Sequence, residues 1–378
     1  MIYENTIILS KAKNLNDFKG ERMKKFKKLM HHIFIDGMGG MTLGLFATLI
    51  IGTIIQQIGT LIGGDIGGLI YTIGKVAAAL TGAGIGVGVA YKYKEPPFVV
   101  LSAATAGMIG AFASAILGGK LIVDGALVLS GPGEPLGAFI AAWVGITVGH
   151  LVAGKTKVDI LVTPLVTILS GSVVGLLVGS PISKFLTAVG EIINWGTHQH
   201  PLLMGIVVSV VMGIVLTLPI SSAALGIILN LSGLAAGAAT IGCCCNMVGF
   251  AVASYRENKV GGLLAQGLGT SMLQMPNIIK KPIIWLPAII SSALLAPLGT
   301  TVLHMTNNAT GSGMGSAGLV GQIMTYQVMT ETASSGVVLA QIALMHFILP
   351  AIITLIISEF MRKKGWIKTG DMALNLTK

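Results

Sequence analysis

One carboxylate stands between long apolar runs, where it can do chemistry. Glu134 lies in the G-P-G-E-P turn of residues 131–135. At a break in a membrane segment, a carboxylate can accept two sugar hydroxyls or exchange a proton. A carboxylate left in lipid costs roughly 2.5–3.5 kcal/mol or more, so Glu134 needs polar partners there. The alternative is that Glu134 lies in an ordinary outer loop, in water, with a structural role.

A second polar group surrounds Pro276. Thr270, Ser271, Gln274 and Asn277 bring hydroxyls and amides into a glycine-rich stretch. These neutral donors and acceptors suit hydroxyl-rich or other uncharged polar ligands. The same side chains can instead cap the ends of a broken helix. The sequence leaves both interpretations open.

Three isolated polar residues complete the predicted substrate-binding set. Asn246 and Gln322 are single amides among small residues, and each can contact a ligand or form an interhelical hydrogen bond. His304 can be a proton or hydroxyl partner, or a structural histidine whose hydrogen bonds are satisfied.

Metal and cofactor chemistry have no motif in the sequence. Cys243, Cys244 and Cys245 are adjacent, which is neither a disulfide framework nor the ligand spacing of a zinc site, so we expect them to pack between helices. No phosphate-binding loop or nucleophile–histidine pattern is present. We expect no catalytic residue, metal or cofactor.

Membrane helices must position these residues. The chain is 53% hydrophobic and only 10% charged, whereas soluble proteins have charges at roughly a quarter of positions. Its net charge of +10 comes from the termini and from short turns, a distribution that argues against a nucleic-acid-binding face. We predict an all-α polytopic membrane protein with about ten spans. The spans are 34–62, 66–90, 97–118, 136–154, 158–179, 202–217, 219–234, 236–254, 283–301 and 335–359.

Basic residues set the expected orientation. Residues 1–33 form a basic segment with an apolar helical stripe, which predicts an amphipathic helix on the cytoplasmic face or, alternatively, a solvated basic arm. By the positive-inside rule, both termini are cytoplasmic, including the tail 362–378. We therefore expect a multi-pass protein of the inner (cytoplasmic) membrane.

The chain also predicts two membrane halves, 34–200 and 201–361. The sequence AATAG at 103–107 is echoed by AATIG at 238–242, and five spans in each half would give a 5+5 inverted repeat. Residues 183–196 are too polar to span and are expected to form a separate interfacial helix between the halves. Three glycine-rich segments, 121–135, 261–277 and 304–322, are too short to cross and return, so we expect re-entrant breaks facing protein or a cavity.

Several longer motifs resemble a known family. They are LPISSAA at 218–224, NMVGF at 246–250, REN at 256–258, GTSMLQ at 269–274, PN at 276–277, GMG at 313–315 and GLVGQ at 318–322. The sequence resembles the second EIIC-type family of the phosphotransferase system, which includes membrane proteins named perfringolysin O regulators. The resemblance covers nearly everything from the first span to the last.

The resemblance implies a sugar permease that presents its substrate for phosphorylation by a separate EIIB protein, itself served by EIIA, so that no catalysis is autonomous. It also suggests a homodimer. Two rivals remain: an ion-coupled or facilitative transporter of a non-sugar solute, with Glu134 as the coupling carboxylate, and a sensor-regulator that signals through the basic N-terminal helix.

Overall fold

The computed structural model describes residues 29–30, 32–129 and 131–374, and most of these are helical. Six helices in this part of the chain are long and apolar enough to cross a membrane, or seven when one bent pair is counted as a span. The prediction of an all-α polytopic membrane protein is therefore confirmed at this level. The ten-span count and the 5+5 repeat stay predictions, and nearly all of the predicted N-terminal amphipathic helix lies outside the described residues.

The first half is a set of packed helices with one small hairpin. Its elements are α1 (Ile35–Ile62), α2 (Gly64–Ala79), α3 (Thr81–Lys92), α4 (Pro97–Ala111), α5 (Ala113–Leu117), β1 (Ile122–Val123), β2 (Ala126–Leu127), α6 (Pro135–Val152) and α7 (Asp159–Thr197). α1 and α2 form a helical hairpin around Gly63, whose φ of 64° is readily adopted only by glycine. α2 and α3 meet at a bend of 51°, and α3 then packs against α1 and α4.

The second half contains the interrupted helices. Its elements are α8 (Pro201–Thr217), α9 (Ser222–Ile228), α10 (Gly233–Ala253), α11 (Tyr255–Leu264), α12 (Met275–Lys280), α13 (Leu286–Thr301), α14 (Ala309–Ser312), α15 (Val320–Met329) and α16 (Ser335–Lys363). π or 3₁₀ turns occupy Ala265–Gly269, Ser271–Gln274, Pro282–Trp285, Ala317–Leu319 and, within α16, Ala343–Ile348. α10 is at the centre, packed against α8, α13 and α16.

Two of the expected segments are wrong. Residues 183–196 are not a separate interfacial helix but the end of the 39-residue α7. One face of this stretch, formed by Gly190, Ile193 and Gly196, is buried, and Gly196 faces Val207 and Val208 of α8. Packing between the halves therefore continues the helix through a stretch whose polarity suggested an interruption.

The predicted span 219–234 is also absent. α8 ends at Thr217, just before Pro219, as expected because proline disfavours the α conformation in the preceding residue. The seven-residue α9 follows, with the Ser221 hydroxyl accepting a hydrogen bond from the Ala224 N–H at 3.2 Å as its N-cap. A helix of seven residues is about 10 Å long and cannot cross a bilayer.

The first predicted break differs in form. Residues 121–128 form the exposed β1–β2 hairpin, and only the following turn re-enters the packed bundle, where the Glu134 N–H donates to the Ala111 carbonyl at 2.8 Å. The stretches 261–277 and 304–322 are interrupted as predicted, with several short turns each.

Glycines bring the helices of the first half into backbone contact. A side chain on Gly86 of α3 would collide with the Ala103 carbonyl of α4, and one on Gly44 of α1 would collide with Gly84 of α3. Membrane helices gain little from hydrophobic burial, so such close packing is a main source of their association.

The chain ends in an ordered segment, which we call the C-terminal strap (residues 365–374). Ile367 and Met372 are 1% and 0% exposed and belong to the same apolar cluster as Met41 and Val89 of the first half. Asn258 pairs with the strap like a neighbouring strand, donating from Nδ2 to the Met372 carbonyl at 2.8 Å and accepting from the Leu374 N–H at 2.7 Å. The strap is therefore part of the core and joins the two halves.

The strap marks one end of the bundle. Lys281 donates to Asp371 of the strap at 2.6 Å, Arg362 lies three residues before the strap, and Lys92 and Lys280 line one cavity with Leu374. We call this the basic end.

We expect Gly86→Ala to destabilise the protein by about 1–3 kcal/mol, because the new methyl group overpacks a helix contact that has no flexible side chain to yield. The melting temperature of the purified protein in detergent measures the effect. Gly68→Ala is the matched control, since Gly68 lies within α2 with open space around its Cα and the alanine should be neutral or gain about 0.5–1 kcal/mol. Equal melting temperatures for the two variants would contradict the packing argument.

We expect acid to loosen the strap through Asp371. Partial burial alone would raise the pKa of its carboxyl, but hydrogen bonds from Lys281 Nζ and the Lys368 N–H outweigh this and lower the pKa. The ion pair therefore holds the strap above the ordinary pKa of aspartate, about 4, and is lost as the pH falls through the lowered value. Amide hydrogen exchange of residues 365–374, corrected for the intrinsic effect of pH, should rise in that range.

Asp371→Asn should produce the same loosening at pH 7 and remove the acid-dependent step. Asp124→Asn, in the β1–β2 hairpin, is the control. Unchanged protection of the strap in Asp371→Asn would show that the amide contacts hold it without the ion pair.

Candidate functional site

The candidate site lies where the interrupted segments of both halves meet. Serine hydroxyls connect these segments: Ser222 Oγ donates to the Gly313 carbonyl at 2.6 Å, and Ser316 Oγ donates to the Gly267 carbonyl at 2.5 Å. Carbonyl groups outside regular helices need such partners at membrane depth. The breaks therefore support one another instead of facing lipid.

A small cavity occupies this meeting point. Its wall includes Pro132 and Pro135 from the first half, Ser221 from the turn before α9, Thr270 from the second break and Met314 from the third. Its volume is about 60 Å³, enough for a few water molecules and far below the ~300–1,000 Å³ of typical small-molecule sites. The segments around it are closed on each other in this conformation.

Glu134 is not itself a lining residue, but it stands in the chain between two residues that are, Pro132 and Pro135. Its backbone begins α6, and its Oε1 accepts the Leu136 N–H at 3.5 Å. The backbone N–H of Ser221 is also directed toward the carboxylate. Leu136 belongs to the first half and Ser221 to the second, so backbone donors from both halves face the same carboxylate. If the two halves moved apart, this arrangement around Glu134 would change.

Thr270, Ser271 and Asn246 are connected behind the cavity. The Thr270 hydroxyl accepts the Met272 N–H at 3.2 Å, so it caps a turn while lining the cavity. Ser271 lies 2.7 Å from the Thr217 hydroxyl, which in turn donates to Asn246 Oδ1 at 3.2 Å.

Asn246 is the most completely bonded of the predicted site residues. In addition to the Thr217 hydroxyl, its Oδ1 accepts the Trp285 indole N–H at 2.9 Å, while its Nδ2 donates to the Gly242 carbonyl at 3.1 Å. It has no exposed surface. In this conformation Asn246 joins α8, α10 and the turn before α13.

Gln274 and Asn277 face the C-terminal strap. Gln274 Nε2 donates to the Met372 carbonyl at 3.0 Å, and Asn277 Nδ2 donates to the Ala373 carbonyl at 3.0 Å. Asn277 Nδ2 also reaches Gln274 Oε1 at 2.9 Å. Gln274 is fully buried, so ligand contact by its amide would require the strap to move. Asn277 also lines the cavity of about 300 Å³ at the basic end, which is larger than the cavity between the breaks.

The last two predicted residues lie apart from this group. Gln322 is buried, with its Nε2 3.3 Å from Cys244 Sγ and 3.2 Å from His346 Nδ1. His304 is exposed in the loop after α13, with a φ of 47°. The structure therefore gathers Glu134 and Thr270 at the cavity and Ser271 close behind it, and distributes the remaining predicted residues elsewhere.

Sequence reasoning overlooked the serines that connect the breaks. Ser221, Ser222 and Ser316 are short polar residues in glycine- and alanine-rich stretches, and they resemble ordinary helix-packing residues. The only available signal was the position of Ser221 and Ser222 directly after Pro219, since a hydroxyl following a helix-ending proline often caps the next helix.

The described residues contain no group of three or more His, Cys, Asp or Glu side chains able to hold a metal ion. The three cysteines are free thiols, all buried in α10. The chemistry available at the cavity is therefore that of one carboxylate, hydroxyls and backbone amides.

Comparison with known proteins identifies the family. No curated protein matches the chain. The family model described as "Phosphotransferase system, EIIC" matches residues 35–374, a range that includes every interrupted segment and the strap. The match agrees with the resemblance carried by the motifs between 218 and 322, and it supports a multi-pass membrane permease component. The chain belongs to the EIIC family of the phosphotransferase system.

Proposed function

We propose that this EIIC protein binds a sugar at the cavity between its halves and carries it across the membrane. The observation that carries the proposal is the convergence of all the interrupted segments on one cavity, with Glu134 between two of its lining residues in the chain. Irregular backbone at membrane depth is typical of solute sites in transporters. The wall offers hydroxyls and amides instead of a charged cluster, which fits an uncharged, hydroxyl-rich solute.

Glu134 has the chemistry to fix a sugar in place. A carboxylate accepts hydrogen bonds on both oxygens, and two adjacent sugar hydroxyls present two donors. The Thr270 hydroxyl, which lines the cavity, can both donate and accept. The Ser221 N–H now directed toward Glu134 would be free to bind a sugar oxygen once the halves separate.

Movement of the halves would open the site. The present cavity is too small for a sugar ring, so the turn at 131–135 and the segments at 269–272 and 314–317 must part. The second and third breaks are joined by the Ser316 to Gly267 contact, worth about 0.5–1.5 kcal/mol net, and the first break meets the second half through Glu134 and Ser221. Contacts of that size can be exchanged for contacts with a solute.

We further propose that the basic end faces the cytoplasm, because clustered lysine and arginine mark the cytoplasmic side of membrane proteins. Both chain termini then lie on that side. A separate EIIB protein, charged by EIIA, would phosphorylate the sugar there. One face of α7, including Leu169, Val173 and Leu177, is apolar and exposed. This face is available to lipid or to a second copy of the chain in a homodimer.

Glu134→Gln should weaken sugar binding about ten- to a hundredfold, since a hydrogen bond to a charged acceptor contributes ~1.5–3 kcal/mol. A thermal-shift screen of the purified protein against a panel of sugars, nucleosides, organic acids and cations provides the measurement. A sugar that stabilises the native protein should lose this effect in the variant, while the unliganded variant melts close to the native temperature.

Glu331→Gln is the matched control, because it makes the same chemical change on an exposed turn. An equal response of both variants to the stabilising sugar would remove Glu134 from the site. Uptake into vesicles then tests the mechanism: a requirement for a phosphoenolpyruvate relay supports the phosphotransferase proposal, whereas uptake driven by an ion gradient alone would contradict it.

A further inference from the structure

A histidine is buried in the second half, away from the cavity. His346 is 1% exposed and lies within the π turn of α16. Its Nδ1 is 3.2 Å from Gln322 Nε2, while its Nε2 is buried with no hydrogen-bond partner among the described residues. Ionisable side chains inside membrane segments are costly, and they mark ion or proton sites more often than they serve packing alone.

The backbone around His346 is also unusual. Pro350 follows four residues later and has no N–H to donate to the His346 carbonyl. The backbone hydrogen bonds in this turn span five residues instead of four: the Leu349 N–H donates to the Leu344 carbonyl. Single π turns of this kind are frequent at functional sites.

His346 begins a polar stripe along α16. Thr354, Ser358 and Arg362 follow it at multiples of four residues, and because each fourth residue is turned about 40° further, the row winds slowly around the helix. It stays against α10, where Thr354 packs on Gly249 and Arg362 Nη2 donates to the Ala253 carbonyl. Thr354 and Ser358 are 1% and 0% exposed, and the Arg362 side chain is 8% exposed. The stripe runs about 24 Å along the helix, from His346 to the basic end.

Every polar side chain in this stripe carries an unsatisfied atom. Thr354 Oγ1, Ser358 Oγ and both Nε and Nη1 of Arg362 are buried without a hydrogen-bond partner among the described residues. Gln322 Oε1, beside His346, and Thr325 Oγ1, on the same helix as Gln322, share this property, as does Glu257 Oε2 beside Arg362. Leaving a buried polar group unpaired costs about 1–3 kcal/mol, so these groups are unfavourable unless water molecules hydrogen-bond to them. The row has one gap of two helical turns, about 12 Å, between His346 and Thr354, which a proton can cross only by way of water.

We propose that His346 is a proton-binding site that exchanges protons with the basic end through the polar stripe of α16. In the orientation observed, Gln322 Nε2 donates to Nδ1, so the neutral imidazole carries its hydrogen on Nε2. A proton passed from bulk water adds to Nδ1 and forms the imidazolium, and the Gln322 amide then rotates so that its unpaired Oε1 accepts the new N–H. Loss of that proton to water reverses both changes, whereas loss of the Nε2 proton instead replaces the hydrogen on Nε2 with one from water when the ring returns to its starting tautomer.

The helices packed around His346 bring no carboxylate and no basic side chain close to it; their titratable groups there are thiols and a phenol. α10 contributes the thiols of Cys243 to Cys245, of which Cys244 shares Gln322 with the histidine. α15 contributes the phenol of Tyr326, and the segment Ser335–Ile342 has no ionisable residue. The remaining charges on α16, Glu359, Arg362 and Lys363, lie at the basic end, with Glu257 and Arg256 opposite them.

A short stretch of chain joins the Gln322–His346 pair to the cavity wall. Gln322 lies in the first turn of α15, and Ala317, just before that helix, lines the cavity. A rotation of the Gln322 amide therefore occurs five residues from the wall of the proposed solute site. Proton occupancy at His346 and the packing of the third break can in this way influence each other.

Deuterium exchange at the His346 ring tests the proposal. The protein, labelled with ¹⁵N-histidine and reconstituted in liposomes, is transferred to D₂O, and the Nε2–H signal that His346→Gln removes is followed by NMR. Exchange on nitrogen needs a transient gain or loss of a proton, so its rate reports proton access. We expect exchange within hours in the native protein and at least tenfold slower exchange in Thr354→Val/Ser358→Ala, which removes both hydroxyls.

Thr147→Val is the control, because the Thr147 hydroxyl is exposed and donates to the Trp143 carbonyl of its own helix at 2.8 Å. In this variant the His346 Nε2–H should exchange at the native rate. If the double variant does not fold, Ser358→Ala alone should still slow exchange. A native signal that persists for days, or equal rates in the native and stripe variants, would overturn the proposal. No solute enters the experiment, so its outcome is independent of the sugar-binding proposal.

Discussion

The requirement that every backbone N–H and C=O find a partner within the protein governs this structure. Regular helices meet it by themselves, but the stretches at 265–277 and 307–319 are not regular and are still packed inside a membrane protein. Serine hydroxyls, asparagine and glutamine amides, and the strap at the C-terminus provide the missing partners. The same side chains that complete the fold therefore lie where a polar solute would have to bind.

This double use of polar groups explains the shape of the candidate site. A cavity lined by self-satisfied segments can close tightly without leaving unpaired groups, because the Glu134 carboxylate and the Ser221 N–H face each other across the halves. A solute with several hydroxyls can replace those internal bonds at small net cost. Opening of the site breaks the internal hydrogen bonds, and binding of the solute replaces them. The two events are therefore coupled, as expected when a ligand selects among conformations of similar stability.

The membrane class and the positions of the second and third breaks could be predicted from the sequence, because apolar composition and clustered glycine and proline act locally. The continuous α7 could not, since burial of Ile193 against another helix decides whether the polar stretch stays helical. Glu134 and Thr270 were predictable as isolated polar groups at breaks. The partners of Gln274 and Asn277 were not, because Met372 and Ala373 are nearly a hundred residues away in the chain and look like an unstructured tail.

The length of α7 has a consequence for the surrounding lipid. Thirty-nine helical residues, with Pro164 and Pro181 inside the helix, have a contour length of about 58 Å, nearly twice the ~30 Å of a bilayer's hydrocarbon layer. The helix must lean, or rise well above the surface on one side, and its exposed Phe185, Ile192 and Trp195 then meet the headgroup region. Because α7 borders both halves, a thicker or thinner bilayer would change its tilt and with it the relation of the halves, making lipid composition a physical input to the protein's conformation.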